Sequence, residues 1–235
     1  FLLQQIDFSQ RLIGVMGARG AGKTTLLLQY LKSVLRETKV LYVIADHPLV
    51  GQYGLFAIAD EFQKIGGELL IVDEIHKCPH FERDLKLIFD SFFNLKVIFT
   101  GSSATAIDNA KADLSLRAML YRLPILSFRE FLELETGETF EAVTLDALLQ
   151  HHPQLALETV SRINPLAYLP AYLEHGAYPF YREAGSTYLP RLLNASMQVI
   201  ETDIPALYPI DHDKVNALKK LMVMLCQSEP YDINI

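Results

Sequence analysis

The 235-residue chain suits one large domain, or a medium domain with a smaller companion, and half of its residues are hydrophobic, so a sizeable core can be buried. Its net charge of −7 is unevenly placed: residues 1–135 are nearly balanced at −1, while residues 136–235 carry −6. That excludes the acidic C-terminal part as a binder of phosphate backbones, and the lack of any apolar run near ~18 residues argues against a membrane span. Cys78 and Cys226 stand alone without metal-ligand spacing, as expected of a cytoplasmic protein with reduced thiols. The N-terminus has no basic segment and does not read as a signal peptide. It also lacks an initiator Met, so the sequence is expected to be a piece of a longer chain. Nucleic-acid contact, if any, would then come from a C-terminal region beyond it.

In chain order, Arg11 to Met16 reads as a buried strand, and Thr24 to about Leu35 as a helix. Between them Gly17-Ala-Arg-Gly-Ala-Gly-Lys-Thr24 fits G-x-x-x-x-G-K-[ST], the phosphate-binding loop. The glycines let successive N–H groups point inward around a polyphosphate at the start of a helix. Gly17, Ala18, Arg19, Gly20, Ala21, Gly22, Lys23, Thr24 and Thr25 are the expected nucleotide contacts. Lys23 can reach the β- and γ-phosphates and the Thr24 hydroxyl can bind Mg²⁺. Arg19, although inside the loop, is expected to point to solvent. The chain therefore reads as a binder of a nucleoside triphosphate.

Val40 to Ala45 is a second strand of continuous apolar residues, expected where both faces are covered. Asp46-His47-Pro48 ends it, as a turn rather than as part of a magnesium site. A helical stripe over Leu55, Ile58, Ala59, Phe62 and Ile65 stops at Gly66-Gly67. Leu69 to Asp73 is the third strand, and Phe81, Leu85, Ile88, Phe89 and Phe92 mark another helix. Lys96 to Thr100 is the fourth strand and Ala118–Leu123 a fifth. Strands alternating with helices predict a doubly covered parallel α/β sheet of about five strands. From Ser127-Phe-Arg-Glu130, a capping box, the pattern becomes helical only, with helices expected near 144–151, 154–162, 166–175, 186–204 and 212–227. Pro205 is expected to limit the longest of these. The expected division is 1–130 for the α/β domain and 131–235 for a smaller all-helical one.

Leu69-Leu-Ile-Val-Asp73-Glu74 supplies the second signal. Asp73, leaving a strand, can complete the Mg²⁺ shell, and Glu74 can orient and deprotonate a water for in-line attack on the γ-phosphate. A base beside the metal carboxylate points to a hydrolase. Ser102 is the first choice, and Thr100 the second, for a polar sensor of the γ-phosphate on the fourth strand. Arg117 and Arg122 are candidates for charge on the transition state. His151-His152 has no third ligand nearby and reads as solvated helix, and Lys111-Ala-Asp113 lacks the context of a guanine-reading motif.

The ordered set Gly17–Thr24, Val72-Asp-Glu-Ile-His-Lys77, Thr100-Gly-Ser-Ser103, Asp113-Leu-Ser-Leu-Arg-Ala118 and Leu126-Ser-Phe-Arg-Glu-Phe131 resembles the prokaryotic AAA-type P-loop ATPases. These are related to the archaeal and signal-transducing P-loop ATPases with a C-terminal domain of unknown function. Tyr172–Phe180 and Glu201–Pro205 are similar to stretches of the helical part of that family. The resemblance implies an ATPase in which the Asp-Glu strand is not adjacent to the phosphate-loop strand. It also implies a further C-terminal domain and an arginine, here Arg117, acting on the γ-phosphate from the same or a neighbouring subunit. The chain departs from the family at Leu116, where a second Arg or a Gly is usual. Two readings of function follow: an ATPase whose turnover drives a homo-oligomer or an unidentified protein partner, or a nucleotide-dependent binding switch with negligible turnover.

Overall fold

In the computed structural model, which describes residues 2–102, Leu114 and 116–228, strand alternation builds a sheet with two apolar faces. The strands are β1 (Leu12–Gly17), β2 (Val40–Ile44), β3 (Leu69–Asp73), β4 (Lys96–Ser102) and β5 (Met119–Leu123). They lie in the order β2-β3-β4-β1-β5, and every pair is parallel. Successive side chains point to opposite faces. Leu12, Met16, Leu70, Val72, Val97 and Phe99 therefore pack into one core, and Ile13, Val15, Leu69, Ile71 and Ile98 into the other. Truncating any of the wholly buried leucines, Leu70 for example, would cost about 2–5 kcal/mol.

Helices close both faces. Helix α1 (Leu2–Gln5) and helix α2 (Lys23–Val34), through Leu26 and Leu27, cover the Ile13 face. Helix α4 (Leu55–Lys64) and helix α5 (Phe81–Ser91) cover the other with Leu55, Ala59, Phe62, Leu85 and Ile88. The short α3 (Pro48–Tyr53) is an element that periodicity did not announce. The His47 ring accepts the Leu49 N–H at 3.2 Å and Pro48 opens the turn, so local capping rather than an apolar stripe makes it. Asp46 is exposed beside it, as expected of a turn residue. Strand β4 continues to Ser102, two residues past the expected end, because it pairs with β1 as far as Gly17.

From Phe128 onward the elements are helical: α6 (Phe128–Thr136), α7 (Leu145–Arg162), α8 (Pro165–Ala171), α9 (Tyr181–Ala184), α10 (Tyr188–Gln198), α11 (Ile204–Leu207) and α12 (His212–Gln227). The capping box of Ser127 and Glu130 opens α6 as the sequence implies. The two helices expected over 144–162 are the two segments of α7, which meet at a kink at His151, where φ is −130° and the backbone leaves the helical region. Pro153 lacks an N–H and its ring crowds the carbonyl of Leu149, which breaks the helical path there. Likewise α10 passes through a wider π turn, Val199–Asp203, before α11, with Pro205 just beyond. Phe131, Tyr181, Ala184 and Tyr188 form a separate core here, with Tyr172 packed against it. Helix α6 belongs to this core through Phe131, and Leu126 N–H donates to the Ala177 carbonyl at 2.9 Å.

Candidate nucleotide-binding site

The parallel strands share one direction, so the loop after β1, the turn after β3 and the end of β4 meet at one edge of the sheet. Gly20 and Gly22 have φ of 83° and 96°, which side chains rarely tolerate, and this curls the loop between β1 and α2. Lys23 is buried, and its Nζ donates to the Gly17 and Ala18 carbonyls, each at 3.0 Å. Burial pushes its ammonium below the ordinary value, with the Glu74 and Asp73 carboxylates pulling the other way.

Asp73 ends β3 and is the hub of the site. Thr24 Oγ1 donates to its Oδ2 at 2.7 Å, and Tyr42 Oη, from β2, donates to the same oxygen at 2.7 Å. Thr100 Oγ1 donates to Oδ1. Burial pushes the Asp73 carboxyl up, but the bonds from Thr100, Thr24, Tyr42 and the Glu74 amide outweigh it and hold the group below its usual value. It stays ionised. The donor set fits Mg²⁺: a hydroxyl and a carboxylate of hard oxygens, 2.7 Å apart at the mouth of a phosphate loop.

Glu74 adopts φ 58°, a left-handed conformation uncommon for a residue with a side chain. Its N–H donates to Thr100 Oγ1 at 2.9 Å and to Asp73 Oδ1 at 3.1 Å, which stabilises that turn. The turn sends the Asp73 and Glu74 side chains different ways, one toward Thr24 and the other outward, about a third exposed.

The structure separates the two sensor candidates. Thr100 is wholly buried, and its hydroxyl is committed to Asp73 and the Glu74 amide; it orients the Asp-Glu turn and is withdrawn as a direct γ-phosphate contact. Ser102 sits opposite Gly17 in the β1–β4 register and lines a cavity of about 140 Å³ with Ala18 and Arg19. Of Thr100-Gly-Ser-Ser103, the last residue lies outside the described residues, as do Lys111-Ala-Asp113 and most of the stretch before Arg117.

Two arginines depart from expectation. Arg19 does not point to solvent: its guanidinium donates to Gln198 Oε1 at 3.1 Å and pairs at 3.4 Å with Asp203, which is 4% exposed. The reason is tertiary, because helix α10 and the π turn after it pack over the loop. Arg117 pairs with Asp90 at 2.9 and 3.0 Å, just before β5 and at the end of α5. Nearby, Arg11, immediately before β1, donates to the Phe89 and Phe92 carbonyls. Both arginines lie at the N-terminal edge of a parallel sheet, and six residues of β1, at about 3.3 Å each, separate that edge from the loop. Arg117 therefore does not reach the loop of its own subunit. Arg122, exposed and paired in register with Met16, is at the loop's edge of the sheet.

Other neighbours of the site were not singled out in the sequence. His76 has a side chain only 8% exposed, with Nε2 3.9 Å from Glu74 Oε2, and neither ring nitrogen has a hydrogen-bond partner among the described residues. Burial pushes its imidazole below the ordinary value, against the Glu74 and Asp203 carboxylates. Tyr42 was hidden in an apolar run. Tyr178, Pro179 and Phe180 lie against the loop: a Cβ on Gly20 would be 3.0 Å from Phe180, and one on Gly22 3.5 Å from Pro179. Their only signal was membership of the stretches similar to a known family.

A five-stranded parallel sheet with a phosphate loop at its carboxyl edge, and a strand between the loop strand and the Asp-Glu strand, defines a P-loop NTPase of the additional-strand type. Residues 9–132 match the family model described as AAA domain, more than half of the chain, and the protein belongs to this family of AAA-type P-loop ATPases. A search of curated proteins finds no match. Among solved structures, the AMPPCP-bound DnaA from Aquifex aeolicus is similar at 14% identity and a TM-score of 0.43, over 96% of this chain and 86% of that one. PCH-2 of C. elegans is similar at 19% identity and a TM-score of 0.38, over 61% of this chain and 45% of that one. The Pif1 helicase from Candida albicans follows at 15% and 0.39, over 60% and 43%. The chain thus spans less than half the length of the last two. Among the described residues, no helix is long and apolar enough to cross a membrane.

Proposed function

We propose that this protein binds ATP with Mg²⁺ and hydrolyses the γ-phosphate, coupling turnover to a homo-oligomer or to an unidentified protein partner in the cytoplasm. The observation that carries the reading is the connected set Thr24–Asp73–Thr100–Glu74, which ties the loop hydroxyl, the metal carboxylate and the candidate base into one bonded unit across helix α2 and strands β3 and β4. The loop amides and Lys23 bind the phosphates, Lys23 exchanging its two carbonyl contacts for phosphate oxygens. Thr24 and Asp73 hold the ion, which when bound neutralises charge on the β- and γ-phosphates. Glu74 orients and deprotonates the attacking water, and Ser102 donates toward the terminal phosphate. Arg117 acts, in this reading, on the nucleotide of a neighbouring copy. The division into an ATPase domain and a helical domain, proposed at 130, has its natural cut nearer Leu126, because α6 packs into the helical core.

Nucleic-acid contact is no part of this reading, because residues 136–235 carry a net charge of −6. The decisive experiment is steady-state release of phosphate from ATP by the purified chain with and without Mg²⁺. Turnover above about one per minute that requires Mg²⁺ supports the hydrolase. Binding without turnover supports instead the binding switch, a reading favoured by one observation: Tyr178–Phe180, in the turn before α9, already rest on the loop.

A further inference from the structure

Asp203 is a carboxylate where an anion-binding site needs cations. It is 4% exposed, it sits in the π turn between α10 and α11, and its ion-pair partner is Arg19 of the phosphate loop at 3.4 Å. With Ala18, Arg19 and Ser102 it lines the cavity of about 140 Å³ at the end of β4, which Tyr178, Ser196 and Val199 close from the helical side. That space is below the roughly 300–1,000 Å³ usual for a small-molecule site, so it does not hold a whole nucleotide and is of a size for a terminal phosphate. The pair itself is loose. A distance of 3.4 Å exceeds the 2.7–2.9 Å of good charge-assisted bonds, and Arg19 Nε is buried with no hydrogen-bond partner among the described residues. Burial of both ions is thus poorly compensated.

We propose that Asp203 is the residue by which this site distinguishes ATP from ADP: its carboxylate holds Arg19 until a terminal phosphate takes its place. The inference rests on the ATP-binding reading above. A γ-phosphate beside Ser102 carries more charge than a carboxylate and offers the guanidinium a bidentate acceptor. It also repels the buried Asp203, whose backbone belongs to the turn joining α10 to α11. Exchange of partners by Arg19 therefore lifts the π turn, and with it the cover formed by Tyr178, Pro179 and Phe180. ADP, ending one phosphate short of Ser102, leaves the pair in place. Occupancy by the triphosphate is in this way converted into release of the helical part from the loop.

The test is equilibrium titration of ATP and ADP into wild type and Asp203→Asn of the full chain. Removing the competing charge while keeping the shape should tighten ATP by about tenfold, the scale of one close like-charge repulsion relieved, and change ADP by much less. A folded Asp203→Asn with unchanged or weakened ATP affinity, or with ATP and ADP tightened equally, overturns the proposal. Hydrogen exchange in wild type gives a measure independent of the variant's folding. A non-hydrolysable ATP analogue should speed exchange over residues 199–203 while ADP does not, and equal protection in both overturns the proposal even if Asp203→Asn fails to fold. Wild type that binds neither nucleotide overturns the ATP-binding reading itself, an outcome separate from a site that binds ATP but is indifferent to Asp203.

Discussion

The Thr100 hydroxyl accepts the backbone N–H of Glu74 at 2.9 Å while it donates to the Asp73 carboxylate, so one β4 side chain fixes the direction of both acidic residues. Thr100→Val keeps the volume and removes both bonds, leaving the Asp73 carboxylate short of a donor. A loss of about 1–3 kcal/mol of stability is expected, the range for a buried group deprived of its partner. Turnover should fall at least tenfold with ATP affinity little changed, since the loop is untouched. Thermal melts and Michaelis–Menten analysis check this, and equal loss in binding and turnover would return Thr100 to a sensing role.

Lys23→Ala should abolish nucleotide binding rather than only turnover. Its ammonium is buried under the loop and bonded to two loop carbonyls, the position from which a point charge meets the phosphates. Titration of a fluorescent ATP analogue into both proteins is the measurement. Unchanged affinity in a folded variant removes the loop from the binding site.

Glu74→Gln preserves shape and loses basicity. ATP should bind as in wild type while hydrolysis falls roughly 10²-fold or more, the scale of a lost general base. Wild-type turnover in this variant would make Glu74 a bystander held by its left-handed turn for structural reasons alone.

Arg117 gives a prediction of a different kind, because its own subunit keeps it at the far edge of the sheet on Asp90. Arg117→Ala should lower turnover by far more than ATP affinity, and turnover should depend on protein concentration in wild type. An arginine acting on transferring phosphate is worth about 10³–10⁵ in rate. Mixing Arg117→Ala with Glu74→Gln should restore part of the activity, since a neighbour supplies what each copy lacks. Normal turnover in Arg117→Ala would leave it as a surface ion pair.

Asp73 sets an acid-side limit. Its folded value lies below its unfolded value of about 3.9, so its contribution is fully present above that pH and is lost as pH falls through the folded value. Wild type and Asp73→Asn should therefore differ in denaturant midpoint at neutral pH and converge below about pH 4. A gap that stays constant down to pH 3 would mean that the hydrogen bonds, not the charge, carry the contribution.

Chain order and side-chain pattern alone determined the strands, the loop and the Asp73-Glu74 end, because each is a local matter: period two or continuous apolarity for strands, backbone freedom for Gly20 and Gly22, a capping box at Ser127. The same local logic divides 144–162 at Pro153, and the backbone leaves the helical region two residues earlier, at His151. Which hydroxyl faces the phosphate is also beyond pattern. Thr100 and Ser102 share one face of β4 two residues apart, and only the fold bonds the first to Asp73 and sets the second opposite Gly17. Tertiary structure alone put Arg117 at the edge away from the loop, by the common direction of parallel strands. It also brought Asp203, 184 residues further along, onto Arg19. A buried ion pair across that separation leaves no periodic trace, because its two partners meet only when the helical part closes over the loop.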